Sequence, residues 1–383
     1  MNYDIEFHDV SFRYEGSENL ALQKINLRIA PGEIVLITGP AGSGKTTLCS
    51  CMNGLVPHYH EGELSGEVLV RGYNTRRVRI GGLASLVGMV FQDPESQLVT
   101  ASVADEIAFG PENLGVPRDE INLRVAEGLK ATRLDGYEER DPHSLSGGEQ
   151  QACVIAAIYV MHPEIYIMDE PLANLDPLGR TQVLRVVVDV AKQRGKTLVI
   201  VEHALEEVIP LVDRVVVLDK GEIVRDGPVN EVLAAGDLPE VFTRPAIVRL
   251  AEQFRLGSLF LTPDDFYRAF ASRYKLGKIQ TDHTTIPELP GGSPVIEIQD
   301  VSFSYDRNNA ALDGVNLTIN SGELVAILGR NGSGKTTLVR HIIGLLQPDR
   351  GKVTVLGKDV SLTPTHELAQ DVGFCFQNPN HQI

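Results

Sequence analysis

The stretch LALQKINLRIAPGEIVLITGPAGSGKTTL at residues 20–48 returns as AALDGVNLTINSGELVAILGRNGSGKTTL at residues 310–338. Around it, DVSF at 9–12 recurs as DVSF at 300–303, and FQDP at 91–94 recurs as FQNP at 376–379. The offset stays near 290 residues and drifts by only a few, too long for a solenoid repeat. The chain is therefore two copies of one large domain. Copy one can be followed to about residue 242, whereas copy two begins near residue 295 and has only the residues up to 383. A chain of 383 residues has room for two or three domains whose cores need no covalent staples.

In copy one, the apolar and β-branched runs EIVLITG, EIYIMDE, KTLVIVEH and RVVVLDKGEIV alternate with helical patterns. That rhythm predicts an α/β domain with a largely buried, partly parallel sheet. Residues 243–280 read as helical, with Thr262 as an N-cap, Pro263 at the first helical position and acids in the first turn of TPDDFYRAF. The polar TDHTTIPELPGGSP at 281–294 reads as a linker. The expected organisation is a first domain at 1–242, a helical segment and linker at 243–294, and the first part of a second domain at 295–383.

Three short motifs carry chemistry. GPAGSGKTT, comprising Gly39, Pro40, Ala41, Gly42, Ser43, Gly44, Lys45, Thr46 and Thr47, lies between an apolar strand and a helical pattern. Its glycines let backbone N–H groups converge on phosphate oxygens at a helix N-terminus. Lys45 suits the β- and γ-phosphates, and the Thr46 hydroxyl suits Mg²⁺. Gly329, Arg330, Asn331, Gly332, Ser333, Gly334, Lys335, Thr336 and Thr337 repeat the pattern at the repeat offset, again after a predicted strand. A chance glycine-rich turn would not recur in register. EIYIMDEP then ends a buried strand in two acids, placing Asp169 beside Mg²⁺ and Glu170 where it can orient or deprotonate a water. LSGGEQQ opens a helical run, with Ser146 as N-cap and two glycines exposing N–H groups at the positive end of the helix.

In this order the motifs resemble those of ABC-type ATPases, over residues 3–242 and, incompletely, 295–383. The resemblance implies a P-loop NTPase fold, an ABC-transporter nucleotide-binding domain with a mixed sheet core and a helical subdomain at about 93–142, duplicated with a truncated second copy. It implies ATP and Mg²⁺ as cofactors. Tyr14 and Tyr305 match the aromatic that stacks on adenine, and Gln92 and Gln377 the glutamine that senses Mg²⁺ and the γ-phosphate. Leu145, Ser146, Gly147, Gly148, Glu149 and Gln150 match the signature. Asp176, in LANLD, matches the residue reaching across a dimer, and His203 the switch histidine. Thr46, Gln92, Asp169, Thr336 and Gln377 would hold Mg²⁺, while Glu170, His203 and Gln92 would serve catalysis.

FQDPESQLVTASVADEIAFGPENLGVP at 91–117, with NGLVPHYHEGELSGEVLVRG at 53–72 and VEHALEEV at 201–208, resembles the ATPase subunits of energy-coupling factor importers. That subgroup takes up B vitamins or cobalt and nickel ions. It implies a cytoplasmic protein peripheral to the cell membrane, partnered by a transmembrane coupling subunit, a substrate-binding membrane subunit and a second ATPase domain. That second domain would come from the same chain if full length, or otherwise from another copy. Transport specificity would lie in the membrane subunit.

The rival class is a soluble tandem ABC ATPase acting on ribosomes or nucleic acid. It would need a long charged arm between the halves or a large insertion between phosphate loop and signature. Here the linker is mixed, loop and signature lie about 100 residues apart, and the net charge of −16 argues against a nucleic-acid partner. With 43% hydrophobic and 22% charged residues the composition is ordinarily globular. No run approaches a membrane span, and the N-terminus lacks a signal-peptide layout. Cys49, Cys51, Cys153 and Cys375 make no metal-ligand spacing and read as thiols of a reducing compartment. His58 and His60 have a spacing that can bind metal but read as a solvated loop.

Copy two has Tyr305, a phosphate loop and Gln377, but no signature, acidic strand end or switch histidine. A domain cut inside its sheet leaves apolar surface uncovered. The expectation is therefore a fragment of a longer product, of about 520–530 residues if both copies match in length. The competing expectation is a chain that pairs copy one with copy one of another molecule.

Overall fold

The computed structural model describes residues 3–173, 175, 177–235, 244–274, 292–306, 309–329 and 332–375. Two compact units emerge, Met1–Leu276 and Gly277–Ile383.

In the first unit, β1 (Ile5–Tyr14), β2 (Leu22–Ile29), β3 (Ile34–Thr38), β4 (Gly62–Val70), β5 (Tyr73–Asn74), β6 (Val87–Val90), β7 (Ile165–Asp169), β8 (Thr197–Val201), β9 (Arg214–Asp219) and β10 (Glu222–Pro228) form two sheets. One is antiparallel, in the order β2-β1-β4-β5. The other runs β10-β9-β3-β8-β7-β6 and is parallel except at β10. Its inner strands read as continuous apolar runs because both faces are covered. In β3, Ile34 and Leu36 join one apolar cluster and Val35 and Ile37 the other; Leu198 and Ile200 alternate with Val199 and Val201 in β8 in the same way. The two-residue period of a strand thus divides the core into two layers. The cluster under Leu36 also takes in Val103, Ile107, Leu129 and Ile155. These residues come from the helices Val103–Asn113, Arg118–Thr132 and Gly147–Tyr159, which pack on one another.

Beyond the sheets lie the helices Ala246–Gln253 and Pro263–Arg273. The second is capped as its sequence predicts: Thr262 Oγ1 accepts the Asp265 N–H at 3.3 Å and Pro263 opens the helix. Cys49, Cys51 and Cys153 are buried, and burial pushes the Cys51 and Cys153 thiols up to about 12, which leaves them inert.

The second unit holds β11 (Pro294–Asp306), β12 (Asn309–Asn320), β13 (Arg350–Val355) and β14 (Lys358–Asp359), in the order β12-β11-β13-β14. The helix Lys335–Ile342 packs Leu338 and Ile342 against Ile298, Val301 and Val353. The repeat predicts a strand before the second phosphate loop, and here the structure departs from the sequence. Residues 323–329 form no strand, and Leu324 and Leu328 are 102% and 89% exposed. Residues 372–375, where the sequence also reads as apolar strand, likewise form none. The physical reason is the absence of neighbours. β3 is held by β8 on one side and β9 on the other, and no described strand flanks 323–329.

Candidate functional site

The first phosphate loop leaves the end of β3 and enters the helix Lys45–Met52. Gly44 has φ 101°, and a Cβ there would lie 2.5 Å from the Ala21 carbonyl oxygen, so only glycine fits. Lys45 is 5% exposed, and its Nζ donates to the carbonyl oxygens of Gly39 (3.1 Å) and Pro40 (2.8 Å). Burial lowers the Lys45 pKa against the opposing pull of the Glu170 and Asp169 carboxylates.

Asp169 closes β7 at 2% exposure. Burial raises its pKa, while a hydrogen bond with the Thr46 side chain opposes the rise. Its Oδ1 is buried with no hydrogen-bond partner. A buried carboxylate oxygen left free beside a threonine hydroxyl is the donor set of a hard divalent cation, so Thr46 and Asp169 fit Mg²⁺.

Glu170 follows immediately, with φ 49°. A non-glycine residue in that region carries strain of about 1–3 kcal/mol. Its N–H donates to the Val201 carbonyl at 2.9 Å, which holds the turn. Gln92 Nε2 donates to Glu170 Oε2 at 2.8 Å, and His203 Nε2 lies 3.2 Å from Glu170 Oε1. Two side chains far apart in sequence thus converge on the Glu170 carboxylate, because the parallel sheet brings the ends of β6, β7 and β8 side by side. Gln97 fixes the turn that carries Gln92: its Oε1 accepts the Phe91 N–H at 2.8 Å.

Tyr14 stands at the end of β1, and its hydroxyl is 2.9 Å from Thr47 Oγ1. A cavity of about 520 Å³ opens beside it, lined by Arg13, Tyr14, Glu15, Gly16, Ser17, Gly62 and Glu63. His60 packs edge-on to Tyr14 with centroids 6.1 Å apart, and His58 Nε2 pairs with the Thr75 carbonyl at 2.8 Å.

The second loop repeats the local design in its own unit. Gly334 has φ 86° with its notional Cβ 2.4 Å from the Ala311 carbonyl oxygen. Lys335 Nζ donates to Gly329 O at 2.8 Å, and the Tyr305 hydroxyl is 3.3 Å from Thr337 Oγ1. Thr337 is buried, while Gly332, Ser333 and Thr336 are exposed. Arg330, Asn331, Gln377 and Asp176 lie outside the described residues.

The family model described as ABC transporter matches residues 22–173 and 312–383, more than half of the chain. The chain belongs to the ABC transporter ATP-binding family. Its members are ATPases that bind ATP, and the fold agrees. A protein of Caldanaerobacter subterraneus subsp. tengcongensis, provisionally named as an ABC transporter ATP-binding protein, is 40% identical over 99% of this chain and 68% of its own length. A similarly named protein of Methanosarcina acetivorans is 36% identical over 99% of this chain and 64% of its own length. The chain thus spans about two-thirds of these curated relatives. Among solved structures, cbiO1 from Clostridium perfringens, part of the ABC transporter complex cbiONQ, is 32% identical with a TM-score of 0.57, covering 67% of this chain and 98% of that one. An ATP-binding cassette solved as a post-hydrolysis dimer with ADP and phosphate is 26% identical with a TM-score of 0.52, covering 59% of this chain and 98% of that one.

In the first ABC cassette the signature residues sit apart from the phosphate loop. Leu145 is buried, and Ser146 caps the helix that starts at Gly147. Glu149 Oε2 reaches back to the Ser146 N–H (2.8 Å) and Oγ (2.7 Å), and the Tyr137 hydroxyl donates to its Oε1 at 2.9 Å. Burial opposes ionisation of Glu149, but these bonds hold its pKa below the usual carboxylate value. Gln150 is buried, with Nε2 donating to the Pro142 carbonyl at 3.4 Å, while Gly147 and Gly148 remain partly exposed. Among the described residues no hydrogen bond joins this helix start to residues 39–47.

One residue of the site escapes sequence reasoning. Glu202, between β8 and His203, is 4% exposed and accepts three backbone N–H groups. Its signal in the sequence is an acid wedged between an apolar strand and His203.

Proposed function

We propose that this chain is the ATP-binding and ATP-hydrolysing part of a membrane importer of the energy-coupling factor type, taking up a B vitamin or cobalt or nickel ions. The observation that carries the proposal is the Gln92–Glu170–His203 convergence beside the first phosphate loop. Gln92 opens the 91–117 stretch whose pattern resembles those importers. Its hydrogen bond to Glu170 ties the hydrolysis centre to the entry of the helical subdomain. The likeness to cbiO1 supports the same reading.

ATP would seat its phosphates on the N–H groups of residues 39–46, with Lys45 exchanging the Gly39 and Pro40 carbonyls for the β- and γ-phosphates. Mg²⁺, when bound by Thr46, Asp169 and Gln92, neutralises phosphate charge. Glu170 orients and deprotonates the attacking water, and His203 holds the γ-phosphate side of the same carboxylate. Tyr14 stacks on adenine over the adjoining cavity. The Ser146–Gly148 helix start faces the ATP of a partner cassette, reached through Asp176, so closure of two cassettes would move the helical subdomains and a transmembrane subunit with them.

Replacing Glu170 with Gln should lower turnover at least about a hundredfold while ATP binding persists, read by ATPase assay and nucleotide titration. Purification of the tagged chain from detergent-solubilised native membranes tests the importer reading. Co-elution with a polytopic membrane subunit supports it. RNA-stimulated turnover or stable association with ribosomes would overturn it.

A further inference from the structure

A carboxylate nearly sealed from water needs partners, and Glu202 has no cation among the described residues. Its Oε1 accepts the N–H of Leu172 at 2.9 Å. Its Oε2 accepts those of His203 at 3.0 Å and Ala204 at 3.4 Å. Leu172 lies two residues after Glu170 and is the first residue of LANLD, whereas His203 and Ala204 belong to the turn after β8. Neither segment is part of a helix or strand, so neither has ladder bonds of its own to fix it. Nearer Glu170 itself, its N–H donates to Val201 O at 2.9 Å, and His203 Nε2 lies 3.2 Å from its Oε1.

We propose that Glu202 is a positioning residue: its buried carboxylate clamps the segment after Glu170 to the turn bearing His203, so that both groups are set by one anchor and shift together. This deepens the hydrolytic reading of Glu170 and His203 and rests on it. The chemistry favours an anion here. A carboxylate offers two oxygens to three N–H donors in charge-assisted bonds, whereas an amide offers one oxygen and turns an NH₂ group against a donor. Burial raises the pKa of Glu202, with the three N–H groups opposing the rise, so the site bears a desolvation cost that an apolar or amide side chain would avoid.

Amide hydrogen exchange on the full chain, with and without Mg-ATP, tests the clamp. In the parent protein the N–H groups of Leu172 and His203 should exchange slowly although they lie outside regular structure. In Glu202→Gln both should exchange at least about tenfold faster, with Ile34–Ile37 and Leu198–Ile200 unchanged. Mg-ATP should shift Leu172 and His203 together in the parent and separately in the variant. Turnover of the variant should fall about tenfold or more with KM for ATP within about twofold, and Glu202→Asp should recover part of the loss. Fast exchange at Leu172 and His203 in the parent would overturn the proposal, a measurement that needs no variant to fold. So would parent-like exchange and kcat in Glu202→Gln. Loosening spread over the whole sheet would reduce Glu202 to a core residue and overturn it equally. Glu170→Gln is measured alongside. Parent-rate turnover there removes the hydrolytic reading, while the exchange data still judge the clamp.

Discussion

IVLIT at 34–38 and LVAIL at 324–328 occupy equivalent places in the two cassettes and meet opposite environments. The first is a fully buried strand flanked on both edges. The second carries no strand and exposes its leucines. Burial of such a side chain contributes about 1.5–3 kcal/mol relative to exposure, so the second segment forgoes most of what stabilises the first. Yet the loops that follow are built alike. Gly44 and Gly334 both approach a backbone carbonyl too closely for any Cβ, and Tyr14 and Tyr305 both reach the second threonine of their loop. A phosphate loop is local geometry fixed by glycine and a helix start. The platform that sets it beside Asp169, Glu170 and His203 is non-local, because these residues lie at or just past the ends of strands from elsewhere in the chain.

The largest contrast should appear in hydrogen exchange. Amides of Ile34–Ile37 should exchange at least about a thousandfold more slowly than those of Val325–Leu328. Comparable rates would break the comparison.

Next comes nucleotide affinity. Lys45→Ala should weaken ATP binding at least about a hundredfold, whereas Lys335→Ala should change total binding by less than about threefold, by titration of the full chain. Equal losses would show that the second loop binds without a flanked strand.

Asp169→Asn should stabilise the nucleotide-free chain by about 1–3 kcal/mol near neutral pH and remove Mg²⁺-dependent ATP binding. The sign follows from the raised pKa of Asp169, caused first by burial. The native carboxyl is favourable while protonated, below its ordinary value of 3.8, and becomes a cost as pH rises through the raised value. The gain in melting temperature should therefore vanish in acid.

The smallest effect belongs to the helix start at Ser146. Ser146→Ala loses the bonds made by the Ser146 hydroxyl but keeps its N–H bond to Glu149, and should cost about 1 kcal/mol, a shift of a few degrees at most, while nucleotide binding at the first loop stays as it was.

Much of the site was legible because its chemistry is encoded in short runs. The glycines and Lys45 declare the loop, the apolar run before Asp169 declares a buried strand, and Ser146 with Glu149 declares a helix start. The apolar runs at 34–38, 165–168 and 197–201 also announce strands covered on both faces. Glu202 was illegible because an acid after an apolar strand reads as a solvated terminus; only its 4% exposure and three N–H partners reveal an anchor. The strained φ of Glu170 was hidden for the same reason, since sequence does not print the carbonyl of Val201 that holds it.

The sequence by itself determined the duplication, the α/β class, the two loops and the order of the motifs, since each depends on neighbours within a few residues. Only the tertiary structure decided which copy of the apolar run becomes a strand, and that Gln92 and His203 meet at the Glu170 carboxylate. Both depend on pairing between strands that are not neighbours in the sequence: β3 with β8 and β9, and β7 with β6 and β8. There the same five-residue pattern is stable beside partners and idle without them.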